Sequence, residues 1–594
     1  MNIEWFDRKT LETLIGDHIL KTDIVLDIGC GIRPQTFFQP KLHICCDPYE
    51  EYVKILQNRF SDNRNVLILH GTWDSVIKLF PNHSIDSIFL IDVIEHIEKD
   101  EGWNLLKECE RVARKQIVIF SPLGFVSQEY QSGDVDGWGL DGTDWQVHKS
   151  GWVPEDFDNS WKILGSKEYH YVDPKGEIID PPYGALWIIK NIPSIKIRLK
   201  TRVAILSHIL PPSPSGQAIM LGRILRDIYA NDYCLVSRKD YNTYKQTYFQ
   251  NDCSRLHTRY NHLRSEKQLP TLNIPLIRGI VKIFNAAMRV IQRSINVARI
   301  INQEKCQLII ACSGDLYDLP AGYLASKLTR VPFDSYIFDD YVKQWIRRWD
   351  RILANRFASI IMRGSKRVLV PNEFLRDDYR QRYRIKPVVI HNPSETIDID
   401  SSIPWPAKPG EIRIVYTGAI YHAHYDAFRH LLEAIRLLKQ FNLKVHIYTN
   451  QPLPELEQHH ITGPIEYHSH LPSSKIIEIQ CQADILFLPL AFDSSIPEVI
   501  RTSAPGKLGE YLATGRPVLA HVPSDTYVSW YFNTHKVGQL VDLPDSTALA
   551  NGIRQIIENP DFRQIWHDNA LTRTRLDFSV EKARAQFIEL INDT

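Results

Sequence analysis

One pattern recurs along this 594-residue chain and constrains what it can fold into. A short apolar segment runs into glycine or another small residue, and a helical period follows. The pattern opens at Asp23 with DIVLDIGCG, again at Arg202 with RVAILSHILPPSPSG, and a third time at Ile412 with IRIVYTG. Strand, small-residue turn and helix in succession build a parallel sheet, and such sheets gather ligands at the carboxyl ends of their strands. A chain of this length exceeds one hydrophobic core. The three openings predict an α/β protein of three units, over residues 1–198, 199–400 and 401–594. Pro193 with the basic run Lys196 to Lys200 reads as the first seam, and SSIPWPAKPGE, from Ser401 to Glu411, as the second.

In the first unit Ile24, Val25, Leu26 and Ile28 form a buried strand that stops at Gly29 and Gly31. Glycines there permit a tight turn and close approach of a ligand to the backbone. The stretch is not the dinucleotide fingerprint, because Pro34 stands where its third glycine belongs. A second strand, LHICCD, ends at Asp47, and an acid at that tip can accept both hydroxyls of an adenosine ribose. A third, NVLILHGTWD, is expected to end near Asp74. A fourth, IDSIFLIDVIEHI, carries Asp92, Glu95 and His96, and a fifth, KQIVIFSP, closes the set.

With VLDIGCG, the acid ending the next strand and IDVIEHI, residues 20–125 resemble class I S-adenosylmethionine-dependent methyltransferases. HKSGWVPEDF, from His148 to Phe157, is similar to a segment of small enzymes of that type. The resemblance implies that Asp27, Gly29 and Gly31 surround the methionine part of the cofactor. It implies that Asp47 holds the ribose and Asp74 meets the adenine, with Asp92 among the cofactor contacts. An O-methyltransferase needs a base beside the acceptor hydroxyl, and a neutral imidazole of His96 or His148 suits that task. For His96 a packing role after the fourth strand stays open.

From Thr201 onward the strands RVAILSH, YCLVSR, CQLIIACS, FDSYIFDDY and RVLVPN predict one sheet, and IRIVYTG, LKVHIYTN, ADILFLPL and RPVLAHV another. A linker between two α/β lobes leaves a cleft, a favoured place for ligands. PGKLGEYLATGRPVLA, with IVYTGAIY before it and SHILPPSPSGQA in the other lobe, resembles the two-Rossmann (GT-B) glycosyltransferases, nearest to the large retaining family 4, over residues 200–594. The resemblance implies a nucleotide-diphosphate sugar as donor, with Glu510 on the donor ribose and Gly216 and Gly418 beside it. The family's first glutamate would fall at position 502, which is Thr502 here, so the sugar is left open. The arginine and lysine that many members carry after the YTG turn are replaced by His422, His424 and Tyr425. Lys507, at the start of a helix whose amides favour anions, and Arg501 are expected to supply the countercharge instead. No metal is then expected. Asp134-Val135-Asp136 and Asp398-Ile399-Asp400 mimic a metal-binding D-x-D and read as solvated acids.

Lysine plus arginine equals aspartate plus glutamate at 70 each, which argues against nucleic acid as a partner. The nine cysteines are scattered without a C-x-x-C pair, which suits reduced thiols and argues against structural zinc. The first twenty residues lack a basic leader pattern, and no uncharged apolar run approaches the ~18 residues of a membrane span. A cytoplasmic location is expected. Between Glu266 and Glu304 there is no acid. Ile277, Ile280, Val281, Phe284, Met288, Ile291, Ile295 and Ala298 recur there at helical spacing, with Arg278, Lys282, Arg289 and Arg293 along one flank. Two readings stand: a helix over residues 277–302 lying on an anionic inner membrane face, or a lobe helix with solvated basic residues.

The expectation is therefore a bifunctional transferase of surface-polysaccharide biosynthesis. One half moves a sugar, with retention, to a saccharide or lipid-linked saccharide hydroxyl; the other methylates a glycan hydroxyl. The alternatives are a glycosyltransferase with a non-catalytic methyltransferase-like binding module, or a nucleotide-sugar epimerase or hydrolase of the same fold.

Overall fold

The computed structural model describes residues 3–593 apart from 129, 131–132, 173–177, 193–195, 214, 239–258, 271–274, 396, 398–403, 470 and 472. The chain divides into two compact units, Met1–Ile195 and Lys196–Thr594. Among the described residues no helix is long and apolar enough to cross a membrane.

The first unit is Rossmann-like. Its sheet holds β1 (Ile3–Trp5), β2 (Ile24–Ile28), β3 (Leu42–Asp47), β4 (Val66–His70), β5 (Ile85–Ile91), β6 (Ala113–Pro122), β7 (Trp161–Val172) and β8 (Ile178–Asn191), in the order β1-β7-β8-β6-β5-β2-β3-β4. All neighbours run parallel except around β8, which is antiparallel to β6 and β7. Successive side chains of a strand point to opposite faces. Leu26, Ile88, Leu90, Ile117 and Ile119 accordingly pack in one apolar cluster, and Val25, Phe89 and Val118 in another behind the sheet. Helix α1 (Lys99–Val112) adds Leu105, Leu106 and Cys109 to the first cluster. With β5, β2 and β3 side by side, the strand tips bearing Asp92, Gly29 and Asp47 share one edge. Strand β4 stops at His70, earlier than the sequence suggests. Asp74 sits in a five-residue helix, Trp73–Ile77, with Thr72 donating its hydroxyl to it at 2.6 Å.

The second unit has a GT-B-like architecture of two parallel-sheet lobes. One contains β9 (Val203–Leu206), β10 (Tyr233–Ser237), β11 (Arg259–His262), β12 (Leu308–Cys312), β13 (Phe333–Tyr336), β14 (Arg367–Val370) and β15 (Val388–Val389), ordered β11-β10-β9-β12-β13-β14-β15. The other contains β16 (Ile412–Thr417), β17 (Leu443–Thr449), β18 (Ile465–Ser469), β19 (Ile485–Pro489), β20 (Val518–His521) and β21 (Gln539–Val541), ordered β18-β17-β16-β19-β20-β21. Four helices matter below: α2 (Gly216–Leu225), α3 (Pro275–Glu304), α4 (Asp318–Thr329) and α5 (Gly506–Ala513). The last helix, α6 (Val580–Asn592), leaves the lobe that precedes it: its Ala583, Phe587 and Ile591 pack with Val203, Ile205 and Leu221 in the core of the β9–β15 lobe.

Helix α3 corrects the reading of its charges. Arg293 is fully buried, with Nε donating to Glu266 at 2.6 Å and Nη1 donating to Asp315 at 2.5 Å and Asp318 at 2.6 Å. Arg289 lies over the Tyr317 ring. The acids absent from the helix come from outside it, so these two arginines are internal and not a solvated flank. The apolar residues split too: Val290, Val297, Ala298 and Ile301 are buried, while Ile283, Phe284, Ile291 and Ile295 are 40–57% exposed. A 30-residue helix can carry two apolar stripes, and packing used the one interrupted by Arg293. The side chains of Ile277, Arg278 and Ile280 lie outside the described residues.

Candidate functional sites

In the first unit the β2 turn takes the left-handed conformation at Gly29 (φ +64°) and Gly31 (φ +53°). A Cβ on Gly31 would run into the Trp138 ring, so glycine is needed there on both counts. Asp47 is 4% exposed and closes this turn. Its Oδ2 accepts the Gly31 N–H at 2.9 Å and its Oδ1 the Tyr49 N–H at 2.9 Å. Burial pushes its pKa up to about 6 against those two donors. Asp27 lies beneath the loop: its Oδ2 accepts the Gln35 N–H at 2.7 Å and faces His43 Nε2 at 3.3 Å. It braces the turn. Asp136 is no solvated acid: 4% exposed, it binds the Tyr52 hydroxyl and accepts the N–H groups of Trp138 and Leu140 at 2.8 and 3.0 Å. These bonds seat Trp138 over Gly31. Asp398 and Asp400 lie outside the described residues.

At the tip of β5, Asp92 adopts φ +53° and its N–H donates to Phe120 O at 3.0 Å. A single 3₁₀ turn, Ile94–His96, follows. The segment after His148 is pinned to this turn: the Lys149 and Ser150 N–H groups donate to Glu95 O at 2.7 and 3.0 Å, and the Ser150 hydroxyl donates to Ile94 O at 2.9 Å. The His96 and His148 rings thereby meet, with centroids 4.9 Å apart. Burial pulls His96 down to about 4, with His148 adding to the effect and the Val147 carbonyl opposing it. Burial lowers His148 as well, against the Val126 carbonyl. Both imidazoles are neutral near pH 7. Two candidates separated by 52 positions are thus one constellation, joined by bonds through Glu95 that no spacing announces.

In the second unit a cavity of about 540 Å³ lies between the lobes, lined by Gly216, His208, Asp339, His422, His424 and Lys507 among others. Helix α5 starts at its wall. Gly418 ends the β16 turn at φ +125°, and a Cβ there would come within 2.6 Å of the Lys507 ammonium. The ammonium rests 5.2 Å over the Tyr416 ring, and no described residue offers it an ion pair. Desolvation lowers its pKa, with Glu510 opposing. Glu510, one turn on, does not line the cavity: its Oε1 accepts from Arg223 of α2 at 2.8 Å, a contact that ties the lobes together. Arg501 is exposed and does not line the cavity either. Thr502 turns its hydroxyl back onto the Glu498 carbonyl at 3.2 Å. His424 is pulled down to about 3 by burial and then by the charge of Lys507, so it adds no positive charge.

Two residues here escaped the motif reading. Arg223 sits in the last turn of α2 with no local sign of an interlobe role. Asp339 lies in the turn after β13 as one of two adjacent acids. Its neighbour Asp340 is taken up by Arg382 and by the Val342 and Lys343 N–H groups at 2.9 and 2.7 Å. Only Asp339 is left facing the cavity, and which of two consecutive acids does so is set by the turn after β13.

Residues 26–120 match the family model described as a methyltransferase domain, and residues 411–559 the one described as glycosyl transferases group 1. No curated protein matches the chain. Among solved structures it is similar to a glycosyltransferase from Rickettsia africae ESF-5, at 16% identity and a TM-score of 0.48, over 67% of this chain and 98% of that one. It is similar to HepE of Anabaena in complex with UDP and glucose, at 14% and 0.48, over 66% and 100%. A sucrose-phosphate synthase from Thermosynechococcus elongatus stands at 14% and 0.49, over 66% and 99%.

Proposed function

We propose that this chain, which carries a methyltransferase domain and a group 1 glycosyltransferase domain, is a bifunctional transferase that builds and methylates a surface glycan in the cytoplasm. The observation that carries the glycosyl half is Lys507. A partly buried ammonium without an anionic partner, at a helix N-terminus in a two-lobed cavity, suits the diphosphate of a nucleotide-sugar donor. Gly216 and Gly418 let the donor approach the backbone. Glu510, although outside the cavity lining, is proposed to offer Oε2 to the donor ribose while Oε1 stays on Arg223. Transfer goes to a saccharide or lipid-linked saccharide hydroxyl with retention, and Lys507 with the α5 amides supplies the countercharge in place of a metal.

For the methyl half, S-adenosylmethionine lies across the Gly29–Gly31 turn with its ribose on Asp47, and Asp74 and Asp92 flank it. His96 and His148 act on the acceptor hydroxyl. The packing of Trp138 on Gly31 favours a second reading, a closed, non-catalytic module. Calorimetry distinguishes the two. The wild-type chain is expected to bind S-adenosylmethionine. Asp47→Ala should weaken that binding roughly 10- to 150-fold, the equivalent of about 1.5–3 kcal/mol for a hydrogen bond to a charged group. A wild-type chain that binds none supports the closed module.

The exposed Ile283, Phe284, Ile291 and Ile295, with Lys282 and Arg299 exposed on the same helix, are proposed to rest on an anionic membrane, placing the cavity near lipid-linked acceptors. Wild-type protein should sediment with phosphatidylglycerol vesicles at low salt. Phe284→Asp combined with Ile291→Asp should cut the bound fraction about tenfold without changing the melting temperature. Wild-type protein that stays in the supernatant removes the proposal.

A further inference from the structure

We propose that Glu95, His96 and His148 form a binding site for one divalent transition-metal cation beside the methyl-transfer site. One ligand atom from each residue lies within 4.8 Å of the other two. Metal–nitrogen and metal–oxygen bonds of about 2.0–2.2 Å require the three groups to draw in by roughly 1 Å around the ion.

Three observations converge. Glu95 is 2% exposed, and neither of its carboxylate oxygens makes a hydrogen bond of sound geometry, with only the Ser121 hydroxyl and the Asp92 carboxyl acting on it. A buried carboxylate in that state calls for a cation or a proton. His96 Nδ1 lies 3.3 Å from Val147 O, and His148 Nδ1 lies 2.7 Å from Val126 O. A carbonyl only accepts, so both Nδ1 atoms carry hydrogen and both Nε2 atoms present lone pairs. That is how a ligating imidazole is oriented from behind. The backbone bonds from Lys149 and Ser150 to Glu95 O hold the third ligand to the first two before any ion arrives.

Two imidazoles and one carboxylate suit Mn²⁺, Fe²⁺, Co²⁺ or Zn²⁺ better than Mg²⁺ or Ca²⁺. They leave coordination positions open. A substrate with adjacent oxygens, such as a vicinal diol of a sugar, could occupy two of them. The inference rests on the methyltransferase reading and deepens it: the histidines act on the acceptor through the ion. A hydroxyl bound to the ion would give its proton to Asp92, whose carboxyl interacts with that of Glu95. The hydroxyl oxygen forms the new C–O bond as the sulfonium C–S bond breaks, and S-adenosylhomocysteine leaves with the electron pair on sulfur.

The test uses the full chain, stripped with EDTA and titrated with MnCl₂, ZnCl₂ and MgCl₂ by calorimetry, and with MnCl₂ by electron paramagnetic resonance. S-adenosylmethionine binding is measured separately. One ion is expected at this site, bound more tightly as Mn²⁺ than as Mg²⁺, and His148→Ala and Glu95→Gln should each weaken it about 10- to 100-fold. His468→Ala is the control, because His446, Glu466 and His468 form the other such cluster among the described residues. Should Glu95→Gln fail to fold by circular dichroism, His148→Ala carries the test. A chain that binds S-adenosylmethionine but no ion, or an ion lost only with His468→Ala, overturns the metal site and leaves the methyltransferase reading standing. A chain that binds the ion but no S-adenosylmethionine overturns that reading instead.

Discussion

Arg293→Met should destabilise the β9–β15 lobe by about 3–5 kcal/mol, the usual cost of removing one partner from a buried ionic network. The side chain is fully buried, and its partners Glu266, Asp315 and Asp318 are at most 14% exposed. Methionine fills much of the same volume, so the loss reports Glu266 and Asp318 stripped of their cation and Asp315 left with Arg238 alone, and not a cavity. The pH dependence has a definite sign. Asp318 is already held up to about 7, by burial first and the charge of Asp315 second, with Arg293 pulling the other way. Removing the guanidinium raises it further. A carboxyl whose folded pKa exceeds its unfolded one stabilises the fold when protonated and loses that contribution as pH rises. The deficit of the variant should therefore widen from about pH 5 to pH 8. Chemical denaturation of wild type and variant at both pH values measures it, and a variant as stable as wild type at pH 8 contradicts the network.

Lys507→Met should lower sugar transfer about 10²- to 10³-fold, the range found when one preorganised donor to a developing charge is removed. The melting temperature should hold or rise slightly, because the ammonium rests in a site without an anionic partner and methionine keeps the contact with Tyr416. Loss of activity without loss of stability marks a binding residue, whereas a structural lysine would lose both. The assay compares transfer rates with the natural donor and thermal unfolding of the same samples. Unimpaired transfer by the variant would remove the diphosphate from this position.

The glycine turns were readable because the constraint is local. Gly29, Gly31 and Gly418 each follow an apolar run, and each adopts a positive φ. The start of α5 at Gly506 and the left-handed Gly515 after its end are equally local, written by a proline before the helix and a glycine after it. Asp47 was legible for the same reason, as the acid that ends the strand beside the first turn. The basic helix shows the opposite case. Periodicity finds that α3 has an apolar stripe, but a sequence cannot say which stripe meets a neighbour when two are present.

The order of strand, turn and helix, the position of each glycine loop and the acids at strand tips follow from the sequence alone, since each depends on residues within a few positions of one another. Tertiary structure decided the partners. It seated Glu266, Asp315 and Asp318 around Arg293 and tied Glu510 to Arg223 across 287 positions. It also brought His148 beside His96 and a buried Glu95. Charges buried among distant residues are satisfied through space, and chain proximity carries no record of which groups burial brings together.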